Sequence, residues 1–153
     1  MFAILCLFGL SLLAQSSSRR GKTGRGRQKA RTERKQDPKR VYLVHADVLH
    51  YDQYVNPEAQ ILNGKVHFTH NGAKLLCDSA YFYEASNSFE AFGNVKMYQG
   101  DTLSLFSDYA YYDGNDEMAI ARHNVILKHR KSTLYTDSLN YDRLYKVGYF
   151  FEG

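Results

Sequence analysis

From Val41 onward, apolar and polar residues alternate with a period of two rather than 3.6. That period belongs to strands, where residues i, i+2 and i+4 share one face of a pleated sheet. Four segments repeat the pattern: Ala46-Asp47-Val48-Leu49-His50-Tyr51, Cys77-Asp78-Ser79-Ala80-Tyr81-Phe82, Ser107-Asp108-Tyr109-Ala110-Tyr111-Tyr112 and Thr136-Asp137-Ser138-Leu139-Asn140-Tyr141. Each has a small residue, an aspartate, Leu or Ala two further on, and an aromatic four further on. The aspartates are 31, 30 and 29 residues apart. A second element lies between them, centred on Val66, Val95 and Val125, each valine 19, 17 and 17 residues beyond its aspartate.

Regular self-similarity of this length marks a repeat architecture, in which each unit buries its apolar face against the next. Stacked in register, the units form ladders of Leu49, Ala80, Ala110 and Leu139, and of Tyr51, Phe82, Tyr112 and Tyr141. The second element adds Val66, Val95 and Val125, with Phe68, Met97 and Leu127 two residues on. The other face carries Ser79, Ser107, Ser138 and Asn140. Turn signals separate the strands at Asn56-Pro57, Asn71-Gly72, Ser86-Asn87-Ser88 and Asp113-Gly114-Asn115-Asp116. No segment from 41 onward carries a helical stripe, so the reading is all-β, with stacked antiparallel strands repeating about every 30 residues. An open stack leaves a free edge at each end, and free edges invite another strand. The fourth unit's second strand is starting at Phe150-Phe151-Glu152-Gly153. This is the pattern of a piece cut from a longer protein, or of an edge that a neighbour completes.

Composition supports the strands. Thirteen tyrosines and nine phenylalanines stand beside two prolines and no tryptophan, a balance that suits pleated surfaces. The net charge of +4 averages two unlike parts. Residues 16–40 hold eleven Lys/Arg against Glu33 and Asp37, a balance of +9; residues 41–153 hold nine against fourteen Asp/Glu, a balance of −5. The length allows one domain.

The N-terminus reads as an address followed by a tether. Residues 2–13 are an almost unbroken apolar run ending at Leu12-Leu13-Ala14, too short to span a bilayer but suited to a secretory signal over residues 1–14. No Lys or Arg precedes the run, and Leu12 stands where a small residue is usual. Residues 15–40 form a basic, disordered linker with almost nothing to bury. It lacks the stacking aromatics and motifs of nucleic-acid binders, so nucleic acid is not an expected partner. A solvated tether and an arm for anionic lipid phosphates are its two readings.

Candidate chemistry is sparse. The aspartates are expected about 5 Å apart in neighbouring strands, accepting turn hydrogen bonds. His67 and His70, three apart on a strand, fall on opposite faces and make no metal pair. Cys6 lies in the apolar run, and Cys77 reads as a buried strand residue. No phosphate loop, dinucleotide fingerprint, zinc spacing or nucleophile elbow occurs, which argues against an enzyme and against a cofactor or metal.

Over residues 41–153 the chain resembles the OstA-like family, which includes periplasmic lipopolysaccharide-transport proteins. The resemblance rests on the four Asp-x-hydrophobic-x-aromatic units and on the Gly-Asn-Val of Gly93-Asn94-Val95. The stretch from Leu76 to Tyr83, running on to Phe92-Gly93-Asn94-Val95, is similar to the version in Bacteroidetes-type bacteria. It implies a twisted, partly open β-jellyroll whose groove carries lipopolysaccharide acyl chains across the periplasm in outer-membrane assembly. The implied partners are lipopolysaccharide and other OstA-like transport components joined through edge strands, with head-to-tail self-association. The implied location is the periplasm, associated with the outer membrane. On that basis the groove would be lined by Leu49, Tyr51, Val66, Phe68, Phe82, Val95, Met97, Tyr112, Val125, Leu127 and Tyr141. His123 replaces the glycine of Gly64 and Gly93 in the third unit, so a different turn is expected there. Inward aromatics serve equally as a groove lining or as a packed core, and periodicity does not separate the two.

Overall fold

The structure is a computed structural model that describes residues 37–150. The expected signal segment, the expected linker through residue 36 and residues 151–153 lie outside the described residues. The period-two pattern resolves into strands β1 (Tyr42–His45), β2 (Val48–Asp52), β3 (Asn56–His70), β4 (Ala73–Tyr83), β5 (Ser88–Gln99), β6 (Leu103–Asp113), β7 (Met118–His129), β8 (Ser132–Asp142) and β9 (Val147–Phe150). All pairings among them are antiparallel, and no described residue is helical. The strands run in chain order through a single sheet, except that β1 and β2 both pair with β3.

Short polar turns set this meander. Asn71 and Gly72 both take left-handed backbone (φ 42° and 77°) between β3 and β4, as a two-residue hairpin requires. In three of the four repeats the acid after the aromatic caps a turn on the other side. Asp52 accepts from the Tyr54 amide (2.9 Å), Asp113 from the Asn115 amide (2.8 Å) and Asp142 from the Tyr145 amide (2.9 Å). Gly114 is required by close approach, because a Cβ there would sit 2.6 Å from the Asn87 carbonyl oxygen.

Every pairing between the long strands is interrupted by a bulge. Register shifts fall between Asn63 and Val66, Leu76 and Ser79, Phe92 and Val95, Phe106 and Tyr109, and Arg122 and Val125. The extra residues lie on β3, β5 and β7, each with two consecutive left-handed residues: Gly64-Lys65, Gly93-Asn94 and His123-Asn124. The repeat aspartates face these bulges. Asp78 accepts from Asn94 Nδ2 at 2.7 Å, and Asp108 from Asn124 Nδ2 at 2.5 Å. The Asp47 amide donates to the Gly64 carbonyl at 2.9 Å. The different turn expected at His123 does not occur. His123 keeps the left-handed conformation (φ 64°), with its ring 3.7 Å from the Asp137 carboxylate. The neighbouring Asn124–Asp108 bond holds the bulge without a glycine.

Bulges bend strands and increase their twist. Aligned across the sheet, they form a crease along which the sheet folds over itself. In the first half-sheet an inward row runs Leu49–Leu62–Ala80–Ala91–Ala110–Ala121–Leu139–Phe150, each residue opposite the next on neighbouring strands. In the second half-sheet the row is Leu43–Phe68–Leu75–Met97–Leu105–Leu127–Leu134. The two rows face each other in one apolar core. The four alanines leave room for the larger side chains opposite, so the halves pack closely.

Candidate functional site

The apolar interior between the half-sheets is the candidate site. Of the eleven residues expected to line it, Val66, Phe68, Phe82, Val95, Met97, Tyr112, Val125 and Tyr141 are buried there, and Leu127 packs against them partly buried. Two residues depart. Leu49 pairs with the inward Leu62, but β2 is a sheet edge and leaves it 46% exposed. Tyr51 is 69% exposed: the pairing of the edge strand β2 with β3 lapses between His50 and Asp52, and Tyr51 has no partner residue on β3.

Other lining residues escaped the sequence reading. Phe89 and Leu105 are buried beside Phe82 and Met97, at positions that the repeat signature does not include. Their signal was phase alone: Phe89 is two residues before Ala91, and Leu105 is two before the buried Ser107. Aromatic packing is densest here. Phe68 meets Phe82 at 5.4 Å and Phe89 meets Tyr112 at 5.3 Å between ring centroids. The hollow bounded by Phe68, His70, Leu75, Phe89, Met97 and Tyr112 measures about 10 Å³, room for a single water.

At the mouth, opposite the crease, the core gives way to a buried polar cluster that the sequence did not announce. Arg143, in the turn before β9, is 2% exposed and is the one buried charged side chain among the described residues whose charge does not depend on titration near neutrality. Its guanidinium donates to the Tyr112 hydroxyl (2.5 Å), the Gln99 side-chain oxygen (3.4 Å) and the Asn71 carbonyl (3.3 Å), and lies 3.6 Å from the Glu117 carboxylate. Tyr112 in turn lies 2.7 Å from His70 Nδ1. His70 Nδ1 also lies 3.4 Å from an Arg143 guanidinium nitrogen, which can only donate, so Nδ1 accepts and the neutral ring's proton falls on Nε2, an atom buried without a hydrogen-bond partner among the described residues. Burial, with Arg143 second, holds the His70 pKa below its usual value. Burial pushes the Tyr112 hydroxyl up to about 12 against the opposing pull of Arg143.

Residues 37–41 cross beside this cluster. Asn87 accepts from the Val41 amide (2.7 Å) and donates to the Lys39 carbonyl (2.8 Å). Beside them lies an open surface hollow of about 420 Å³, bounded by Arg40, Tyr42, His70 and Lys74.

His67 and His70 point to opposite faces, and among the described residues no group of three His, Cys, Asp or Glu is placed to hold a metal. Cys77 is free and buried, its thiol pushed up to about 12 by burial.

The comparisons with known proteins bear on this bulged, folded-over sheet. A family model described as OstA-like protein matches residues 38–153. The chain belongs to the OstA-like family. Among solved structures, this OstA-like chain is similar to LptH of Pseudomonas aeruginosa, described as the LptA-homologous periplasmic component of the conserved lipopolysaccharide transport device. The likeness has a TM-score of 0.64 at 12% identity and covers 74% of this chain and 82% of LptH. It shows a shared fold, and the open β-jellyroll expected of the OstA-like repeat is the fold observed. No curated protein sequence matches the chain at a significant level. The match begins at residue 38, one residue before Lys39, whose carbonyl accepts from Asn87.

Proposed function

We propose that this OstA-like protein is a periplasmic carrier of lipopolysaccharide in outer-membrane assembly, holding acyl chains between its two half-sheets. The observation that carries this reading is the inward row from Leu49 to Phe150. It crosses every strand from β2 to β9, is buried in the middle, and ends in residues 46% and 52% exposed. An apolar track that reaches both sheet edges suits a long apolar ligand passed from one molecule to another. Family membership and the fold shared with LptH support the same reading. Val66, Phe68, Phe82, Val95, Met97, Tyr112, Val125, Leu127 and Tyr141 are then the lining, and Leu49 and Tyr51 mark the entry edge. The edges at β2 and β9 would join other OstA-like transport components or further copies of the chain, since Val48, Tyr149 and Phe150 are exposed there.

A second reading is favoured by the tight packing around Phe68 and Phe89. With a hollow of about 10 Å³ there, the chain would be a structural envelope module that acts through its strand edges alone.

Site-specific photocrosslinking in Gram-negative cells separates the two. Probes at Phe82 and Tyr112 should capture lipopolysaccharide, while a probe at Asn140 on the outer face should not. A folded, periplasmic protein with no adducts at the inner positions would leave the structural reading standing.

A further inference from the structure

The interior does not accommodate an acyl chain as it stands. Sites for small apolar ligands enclose roughly 300–1,000 Å³, against about 10 Å³ in the hollow beside Phe68 and Phe89. Making room for a chain that arrives at the β2 or β9 edge therefore requires the half-sheets to part. They can part only at the mouth, because the crease is continuous backbone.

Apart from the bonds of Asn87 to Val41 and Lys39, the hydrogen bonds that span the mouth centre on one polar cluster. From the first half-sheet, Arg143 reaches Gln99 and the Asn71 carbonyl, Tyr112 reaches His70 and Glu117 accepts from Asn71 Nδ2 at 3.1 Å. Gln99, Asn71 and His70 all belong to the second half-sheet or its turns. Arg143 organises the set, since its bonds to Tyr112 and Glu117 within the first half-sheet aim the guanidinium across the gap. Hydrogen bonds are suited to such a closure. On opening, each of these groups exchanges its partner for water, whereas exposed core would find none.

We propose that Arg143, with Tyr112, His70, Asn71, Gln99 and Glu117, forms a latch across the mouth of the folded sheet, which opens to admit acyl chains. This inference rests on the interior being an acyl-chain site. It makes the closed structure the resting form of a carrier rather than evidence for a permanently filled core.

The test uses the purified chain carrying Asn71→Cys and Glu117→Cys, joined by a short bis-methanethiosulfonate linker that reductant cleaves. Cys6 is replaced by Ser, and Cys77 is buried and does not compete for the reagent. Uptake of a pyrene-labelled fatty acid is followed by fluorescence before and after reduction, with native-like circular dichroism in both states. The linked protein should take up the probe at least tenfold more slowly than the reduced one, and Arg143→Gln alone should speed uptake several-fold over the unsubstituted chain. Equal uptake by linked and reduced protein would overturn the latch and leave the acyl-chain site intact. No uptake by the reduced or the unsubstituted protein would remove the acyl-chain site, and the latch with it.

Discussion

Phe68 and Phe89 stack with ring centroids 4.2 Å apart and planes 7° from parallel, although their strands, β3 and β5, are not hydrogen-bonded neighbours. In a flat sheet β4 would separate them. The contact exists because the bulges fold the second half-sheet, which carries Phe68, onto the first, which carries Phe89. This pair reports directly on whether the jellyroll is closed.

Phe68→Ala should destabilise the fold by about 3–5 kcal/mol, the usual cost of emptying a buried phenylalanine site. A double-mutant cycle with Phe89→Ala should show a coupling of roughly 0.5–1.5 kcal/mol from the stacked pair. Leu49→Ala, at the half-exposed end of the inward row, should cost much less. Urea unfolding followed by circular dichroism measures all three, and a coupling near zero would mean that the halves do not close on this contact.

The bulges make a separate prediction. Gly93 has φ 74°, and a Cβ there would lie 2.7 Å from Asp78 Oδ2. Gly93→Ala should therefore lose at least the ~1–2 kcal/mol of a left-handed non-glycine residue, with the carboxylate contact adding to it. His123 already bears that strain at φ 64°. His123→Gly should relieve it, with the gain reduced by about 0.4–1 kcal/mol through the greater freedom of the unfolded chain. Thermal melts showing Gly93→Ala to be neutral would contradict the bulge geometry.

Acid should weaken the fold through His70. Burial lowers its pKa in the folded state below the 6.5 of the unfolded chain. Below pH 6.5 the unfolded state therefore binds the proton first, and stability falls as pH drops toward the folded-state value. His67, shifted in the same direction by burial and by Lys74, contributes a loss of the same sign. Denaturant midpoints between pH 8 and pH 5 should decline, and His70→Gln should flatten part of that decline. An unchanged slope in the variant would show that His70 is not buried as described.

Cys77 should be silent to thiol reagents. It is 5% exposed and its thiol is pushed up to about 12, so almost no thiolate is present at neutral pH. Ellman's reagent should modify it only at the rate of unfolding, and rapid modification of the native protein would place it on an open strand.

The inward phase of Val66, Phe68, Phe82, Val95, Met97, Tyr112, Val125 and Tyr141 was legible because side-chain direction in a strand is a local property that alternates residue by residue. The Asn–Gly pair at 71–72 and the repeat glycines were legible for the same reason, since left-handed backbone is a property of single residues. Tyr51 was misplaced because a lapse of edge pairing after His50 leaves no mark in the alternation itself. At His123 the side chain misled, because a bulge shared with Asn124 and Asp108 outweighs the preference of one residue.

The amino-acid order by itself thus determined an all-β repeat, its strand pairing in chain order and most of its inward face, all consequences of interactions within a strand or between sequence neighbours. Only the tertiary structure decided where the crease lies, that Phe68 meets Phe89 across it, and that Arg143 is buried at the mouth. Those outcomes depend on residues 21 to 73 positions apart meeting after the sheet folds, and no local pattern encodes such a meeting. An arginine in a turn reads as a solvated charge until Glu117, Tyr112 and Asn71 close around it.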